Sequence, residues 1–177
     1  MHMFKHFCTV ARHKHYVFIH CVKSGIILQG ILHDISKFSP TEFFTSAKFY
    51  RGIGSPIPAE RKTYGYSKVW MHHVRHNRHH IEYWMDNDRG SNIPVKMPLR
   101  YAKEMFCDML SANKVYKKAA GIQYDDSAPL TYFREKSMGA AMHKDTAQLM
   151  EKLFSMLAEK GEKETFCYIR HLKNKDY

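Results

Sequence analysis

The sequence predicts an all-α protein. Residues 146–160 place four large apolar side chains on one stripe at helical spacing. Ser39, Pro40 and Glu42 form a helix start, in which the serine caps, the proline takes the first helical position and the glutamate follows three residues after the cap. No stretch alternates apolar and polar residues with a period of two, so we expect little β-sheet.

The elements follow from local signals along the chain. In the first half, Ser24-Gly25 ends one helix, Ser36-Lys37 ends the next, and two glycines with two prolines mark a loop. The expected elements there are a helix over 11–24, a helix over 26–35, a helix over 40–50 and a loop over 52–58. In the second half, glycines and prolines again separate the helices. The expected elements there are helices over 67–76, 99–120 and 146–160, a loop over 87–98, a connection over 125–129 and a short tail helix over 164–172.

Length and composition describe an ordinary globular chain with two unusual features. The 177 residues, 44% hydrophobic and 25% charged, fit one helical domain over residues 1–177 and exclude a disordered or fibrous protein. The first unusual feature is a net charge of +11, which attracts anions such as phosphorylated metabolites or nucleic acid. The second is a set of 13 histidines, which directs the search for chemistry to these residues.

Cysteine usage and apolar runs predict a cytoplasmic location. The four cysteines form no C-x-x-C pair, which argues against a zinc ribbon and a disulfide framework. The first ten residues lack the apolar stretch of a signal peptide. The longest apolar runs, Tyr16–Ile19 and Ile26–Leu32, are far shorter than the ~20 residues of a membrane span. We therefore expect no membrane partner.

The dipeptide His33-Asp34 is the first candidate for metal chemistry. It lies at the end of an apolar helix and precedes Lys37. A histidine nitrogen and a carboxylate oxygen can bind one metal ion, and the second carboxylate oxygen can bridge to another. The alternative is a helix-ending aspartate beside a half-buried histidine.

Five histidines occur within nine positions between Trp70 and Trp84. If the helix ends near Asn77, His73 and the pair His79-His80 can approach one centre from two directions. His72 and His76 then face away. The alternative is a basic stripe for nucleic acid, since two arginines are interleaved with the histidines.

Glu104 and Asp108 are four residues apart on the long helix and therefore share one face. In a chain of charge +11, two acids beside apolar residues indicate a cation site. The alternative is a solvated pair with Lys103 or Lys114.

A further histidine ligand is expected near the N-terminus, where His13, His15 and His20 compete. If helices 11–24 and 26–35 form an antiparallel hairpin about Gly25, His15 and His33 lie roughly 15 and 12 Å from the turn at 1.5 Å per residue. The two rings then lie at nearly the same height along the hairpin. This geometry favours His15.

The order His15, His33-Asp34, Asp108 resembles the H…HD…D ligand pattern of the HD-domain metal-dependent phosphohydrolases, an all-helical superfamily. The longer motifs are also similar to a family of small bacterial proteins without an assigned activity. These motifs are H-D-x-S-K-F-S-P-x-E-F at 33–43, W-x-x-H-x-x-x-N-x-H-H-x-E-Y-W at 70–84 and E-M-x-x-D at 104–108. The Gly-Tyr-Pro element of the cyclic dinucleotide branch is absent, because Ser67 follows Gly65-Tyr66.

The resemblance implies a metal-dependent hydrolase that acts on a nucleotide or another small phosphate ester. One divalent ion would be held by His15, His33, Asp34 and Asp108, and a second by Asp34, His73, His79 and His80. The nitrogen and oxygen ligands without thiolate suit iron or manganese. Lys37 would bind a phosphate oxygen, Glu104 would orient a ligand or take a proton, and three arginines would attract the substrate: Arg75, Arg78 and Arg100. A di-iron oxygenase-type enzyme on the same fold and a basic nucleic-acid-binding module are the alternatives.

Overall fold

Helices make up most of the chain in the computed structural model, which describes residues 2–52 and 54–177. Over these ranges the α-helices are α1 (His2–Lys23), α2 (Ile27–Leu32), α3 (Pro40–Phe49), α4 (Ile57–Tyr64), α5 (Lys68–His76), α6 (Leu99–Ala119), α7 (Ala128–Glu135) and α8 (Lys144–His171). Short 3₁₀ turns cover Ile35–Phe38, Ile81–Trp84, Met138–Ala141 and Asn174–Asp176. The predicted helical class is confirmed.

Two predicted boundaries are confirmed by local geometry. The Ser39 side chain accepts a hydrogen bond from the backbone N–H of Glu42 at 3.3 Å, and α3 begins at Pro40. Helix α5 ends at His76, and Asn77 is extended with φ −123° and ψ 102°. Gly161 interrupts α8 with φ 75° and ψ 178°, so the last expected helix and the tail helix meet at a kink.

The loop predicted over 87–98 contains a β-hairpin instead. Strands β1 (Met85–Asp88) and β2 (Ser91–Pro94) pair antiparallel, with Met85 opposite Pro94 and Asp88 opposite Ser91. The two residues between them, Arg89 and Gly90, both have positive φ, 48° and 90°. Two such residues make the tight turn that matches the twist of a hairpin. The strands are too polar to show the alternation by which strands are recognised in sequence.

Several other boundaries differ from the prediction. Helix α1 begins at His2 rather than at residue 11, and α7 begins at Ala128 inside the expected connection over 125–129. Helix α2 stops at Leu32 rather than at residue 35, because His33 is extended and Asp34 takes a left-handed conformation, φ 53° and ψ 27°. Helix α4 begins at Ile57 inside the expected loop, since its prolines lie at the start of the helix, where they cost no hydrogen bond. The expected loop residue Ile53 lies outside the described residues.

The core lies between α1, α6 and α8. Phe106 and Leu110 of α6 are fully buried against Phe154 of α8, and the rings of Phe106 and Phe154 are 5.2 Å apart. Val17 and Cys21 of α1 close the other side. Helix α6 therefore has a fixed position and presents Asp108 to α1. No helix in the described ranges is long and apolar enough to cross a membrane.

Candidate metal centre

The end of α2 directs His33 and Asp34 inwards. The change from helix to extended and then left-handed backbone at these two residues turns the chain, and both side chains become buried, with 1% and 2% exposure. Aspartate tolerates the left-handed region better than most residues. The 3₁₀ turn that follows brings Lys37 back, and its Nζ lies 2.6 Å from Oδ2 of Asp34.

A first group of potential ligands comes from three elements. His13 of α1, His33, Asp34 and Asp108 of α6 each offer one atom within 4.8 Å of the others. Nε2 of His13 lies 2.9 Å from Oδ1 of Asp108, and Nε2 of His33 lies 3.2 Å from Oδ2 of Asp34. These separations leave the ligand atoms around a common point at which a single cation can be held.

A second group comprises Asp34, His73, His79 and His80. Nε2 of His73 and Nε2 of His79 lie 3.4 and 3.5 Å from Oδ1 of Asp34. Because α5 ends before Asn77, the chain reverses and the two later histidines return to the ring of His73. Nε2 of His80 lies 2.9 Å from Nε2 of His73. Asp34 thus has one oxygen towards each group, which is the geometry of a bridging carboxylate.

Glu104 contacts two of these histidines at the ring nitrogen that faces away from Asp34. Its Oε1 accepts a hydrogen bond from Nδ1 of His33 at 3.0 Å and lies 3.1 Å from Nδ1 of His79. Both rings are thereby fixed with Nε2 towards Asp34. A carboxylate on the second ring nitrogen is the usual support of a metal-bound histidine.

Glu42 supports His73 in the same way. Its Oε2 lies 2.9 Å from Nδ1 of His73, and its Oε1 lies 2.7 Å from Nδ1 of His72. The side chain is 1% exposed. Asn77 fixes the end of α5 by donating to the carbonyl of His73 at 2.8 Å and to Ser36 Oγ at 2.7 Å.

The buried polar atoms at the centre fit a metal ion. Nε2 of His13, His33 and His79 and Oδ1 of Asp34 are buried and have no hydrogen-bonding partner among the described residues. The 2.9 Å approach of His13 to Asp108 is a close contact without hydrogen-bond geometry. An unpaired buried polar atom costs about 1–3 kcal/mol, and a cation that contacts several of them removes that cost. Nitrogen and oxygen ligands without thiolate suit a divalent transition metal.

The charges of the centre favour ionised carboxylates. Burial opposes the charged form of Asp34, but the neighbouring His33, Lys37 and His73 hold its pKa well below the usual value. Burial would likewise lower the pKa of His33, yet the carboxylates around it raise its pKa well above the usual value. Burial and the two neighbouring histidine rings lower the pKa of His80 well below the usual value. The anionic ligands are therefore available to a cation at neutral pH.

His13, not His15, lies at the centre. Residues two apart on a helix point about 200° away from each other, and the buried face of α1 contains His6, Val10, His13 and Val17. His15 is exposed. The hairpin argument for His15 used only distances from the turn and treated residue 33 as helical. His33 has left the helix, with φ −49° and ψ 126°, and the face of α1 on which a residue lies decides which ring turns inwards.

The three arginines expected to bind substrate lie on the outer surface. Arg75, Arg78 and Arg100 are all exposed. Arg78 donates to the hydroxyl of Tyr101 at 3.2 Å, and Arg100 lies over the Tyr101 ring with its Cζ 4.8 Å from the ring centroid. Arg75 is two residues from the buried His73 and therefore points away from it.

Most of the other predicted site residues lie at the centre. The two groups contain six of them: His33, Asp34, His73, His79, His80 and Asp108. Lys37 contacts Asp34, and Glu104 contacts the Nδ1 atoms of His33 and His79. His76 is exposed and stacks on His72 at 4.1 Å, outside both groups.

Sequence reasoning missed His13 as a potential ligand and Glu42 as the carboxylate beside His72 and His73. From the sequence around it, Glu42 is identified only as a residue in the first turn of α3. A usable signal was present, because each metal-binding histidine needs a partner for its second ring nitrogen and the chain has only 17 acids to provide one.

A cavity of about 470 Å³ opens beside the two groups. His13, His73, His79, His80 and Asp108 lie at one end of its wall, together with Lys37. Residues of α1, α5 and α6 form much of the rest of the wall, and α3, α7 and residues 54–57 complete it together with Tyr50 and Met138. The volume is within the ~300–1,000 Å³ range of small-molecule sites.

Comparison with known proteins adds a family but no activity. Residues 2–156 match the model of a family of unknown function (DUF5662), and the chain belongs to this family. No curated protein and no solved structure matches the chain.

Proposed function

We propose that this member of the DUF5662 family is a metal-dependent phosphohydrolase that acts on a small phosphate ester. The observation that carries the proposal is the position of Asp34. One of its oxygens faces His13, His33 and Asp108, the other faces His73 and His79, and a cavity of small-molecule size lies alongside.

The ligand sets follow from the two groups. His13, His33, Asp34 and Asp108 would hold one divalent ion. His73, His79 and His80 would hold a second, with Asp34 shared between the two. When bound, such a pair of ions acidifies a coordinated water and neutralises charge on a phosphate.

Lys37 would bind the substrate phosphate. Its Nζ contacts Oδ2 of Asp34 at 2.6 Å and the residue lines the cavity, so a small rotation of the side chain brings the ammonium to a bound anion. Burial opposes the charge of the lysine, but the adjacent Asp34 raises its pKa above the usual value and keeps it cationic. A fixed cation beside the phosphate stabilises the negative charge that develops during hydrolysis.

The resemblance to the HD-domain phosphohydrolases supports the proposal. With His13 in place of His15, the chain has the ligand order H…HD…D, and histidines suited to a second ion lie between the HD pair and the final aspartate. The proposal includes the fold of that superfamily.

Metal content and phosphate release test the proposal together. Protein purified without a histidine tag is analysed for metal, loaded with Mn²⁺ or Fe²⁺, and assayed for phosphate release from a panel of phosphate esters. We expect up to two ions per chain and hydrolysis of at least one ester class. Asp34→Asn should lose metal and reduce hydrolysis by orders of magnitude, whereas the exposed His15→Ala on the same α1 helix should match the wild type.

Other outcomes separate the alternatives. Metal-loaded protein that releases no phosphate but consumes dioxygen would support the di-iron oxygenase. Metal-free protein that binds RNA or DNA tightly at moderate salt would support the nucleic-acid-binding module, since binding by charge alone weakens steeply with salt. Either result would refute the phosphohydrolase.

A further inference from the structure

We infer that the substrate carries a single phosphate on an uncharged, mostly apolar body, and that this body fills the cavity beyond the metal centre. The inference rests on the proposed function. It is carried by the lining of the cavity, which differs sharply between its two ends.

Few positively charged side chains line the cavity, although the chain has a net charge of +11. Among the 28 lysines and arginines of the sequence, only Lys37 and Lys117 line the part of the cavity formed by the described residues. Lys37 lies at the metal centre, and Nζ of Lys117 is 3.5 Å from Oδ2 of Asp125. A polyphosphate needs several charged donors along its length, most effectively arginines. The lining therefore provides for one phosphate, at the centre.

The wall beyond the centre is apolar on three helices. Val10 of α1, Val69 of α5, and Met105 and Met109 of α6 are buried and line the cavity, next to the ring of Trp70. Burial of an apolar group against such walls is favourable, and methionine side chains adapt to its shape. Thr9, Tyr50 and Asn113 also line the cavity, but their side chains bond to other protein groups. The hydroxyl groups of a sugar would therefore find few free partners there.

Among the polar groups that line this region away from the centre, His6 is the one with a buried atom that lacks a partner among the described residues. It lines the cavity, is 6% exposed, and has a buried Nδ1 without a hydrogen-bonding partner among the described residues. Its ring packs 5.1 Å from Tyr50. Burial and the charge of Lys37 lower its pKa, so the ring is neutral at pH 7 and pairs with a neutral group. His6 precedes His13 by seven residues on α1, which is about 10 Å along the helix axis.

The substrate thus has three parts: a phosphate at the metal centre, an apolar body between the methionines and valines, and one neutral hydroxyl or carbonyl group about 10 Å from the phosphorus, beside His6. Biphenyl-4-ylphosphonate and its 4′-hydroxy derivative copy this arrangement, and they cannot be hydrolysed. They allow binding to be measured apart from activity.

Calorimetric titration of the Mn²⁺-loaded protein tests the inference. We expect biphenylphosphonate to bind at least about tenfold more tightly than methylphosphonate, and methylenediphosphonate to gain no such advantage. Met109→Gln, which keeps the size of the side chain, should weaken biphenylphosphonate several-fold and leave methylphosphonate unchanged. The exposed Met71→Gln on α5 is the matched control and should change neither affinity.

A second variant tests the polar contact. His6→Phe keeps an aromatic ring in the same place. It should abolish the tighter binding of the 4′-hydroxy compound over the parent compound, while the parent compound binds as before. If wild type and His6→Phe favour the 4′-hydroxy compound over the parent compound by the same factor, His6 does not bind the hydroxyl group.

The outcomes distinguish the two proposals. If metal-loaded protein hydrolyses ATP or pyrophosphate faster than biphenyl phosphate, or binds methylenediphosphonate more tightly than biphenylphosphonate, the inferred substrate is wrong and the phosphohydrolase stands. If the phosphonates bind as expected but no phosphate ester is hydrolysed, the cavity binds such compounds and the proposed reaction is wrong.

Discussion

Glu104 supplies a direct test of how the histidines are held. The substitution Glu104→Gln keeps the shape of the side chain and an oxygen that can accept from Nδ1 of His33 and Nδ1 of His79. It removes only the negative charge. Because the side chain is 6% exposed, water does not replace what is lost.

The expected magnitude follows from these two contacts. A bond to a charged acceptor contributes about 1.5–3 kcal/mol and a neutral one about 0.5–1.5 kcal/mol, so each ring loses about 1 kcal/mol. Because His33 and His79 belong to different groups, each ion loses about 1 kcal/mol, which corresponds to roughly fivefold weaker binding of that ion. Complete removal of a supporting carboxylate typically reduces metal affinity by about 10–100-fold, and the amide oxygen of Glu104→Gln retains part of that support.

The assay is a competition titration of Mn²⁺ against a chelator, with thermal unfolding of each metal-free variant as a check on folding. Glu60→Gln is the matched control. Glu60 is also buried, at 2% exposure, but it accepts from Ser67 and from the backbone of Lys68 and contacts no histidine. Its variant should lose stability and keep metal affinity. Equal metal affinity of Glu104→Gln and wild type would refute the idea that this carboxylate holds the ligand rings.

Three further predictions concern ligands and stability. His13→Ala should lose one metal ion per chain by elemental analysis, and His15→Ala none; the reverse result would show that the register of α1 is wrong. Gly30→Ala should destabilise the protein by about 1–3 kcal/mol in urea unfolding, because the added Cβ would lie 2.8 Å from Cβ of Cys21; a stabilised variant would contradict this packing. Burial opposes the charge of Glu162, but two lysines hold its pKa below 4.5, so its ion pairs stabilise the protein above that pH and lose their effect as the pH falls. Glu162→Gln should therefore be about 1 kcal/mol less stable than wild type at pH 7, with a difference that disappears in acid, and a constant difference would count against the ion pairs.

Helices with strong local signals could be predicted from the sequence, and the others could not. The cap at Ser39 and the helix end at Asn77 depend on residues adjacent in the chain, so the sequence contains all that determines them. The end of α2 depends on distant contacts. Lys14 of α1 donates hydrogen bonds to the carbonyl of Ile31 at 2.9 Å and to that of His33 at 2.6 Å. In a longer α2, these carbonyls would instead accept hydrogen bonds from later residues of the helix. The sequence of residues 26–35 does not indicate that Lys14 will bond to these carbonyls.

The same distinction applies to the site. His73, His79 and His80 could be separated from His72 and His76 because the helix end at Asn77 is a local feature. The register between α1 and α2 is not local, and a two-residue error there exchanged His13 for His15.

The carboxylates are better guides to this centre than the histidines. The chain has 13 histidines, and position along a helix alone does not tell which of them turn inwards. A buried carboxylate, by contrast, is costly unless charged or hydrogen-bonding groups surround it. Asp34, Glu42 and Glu104 are at most 6% exposed, and each contacts at least two histidine side chains. Acids that share a helix face with large apolar residues therefore indicate where polar partners must gather: histidines surround Glu42 and Glu104, whereas Ser67 and a backbone N–H serve Glu60. Glu42 meets that condition, because it lies seven residues before the buried Phe49 and so shares its face of α3.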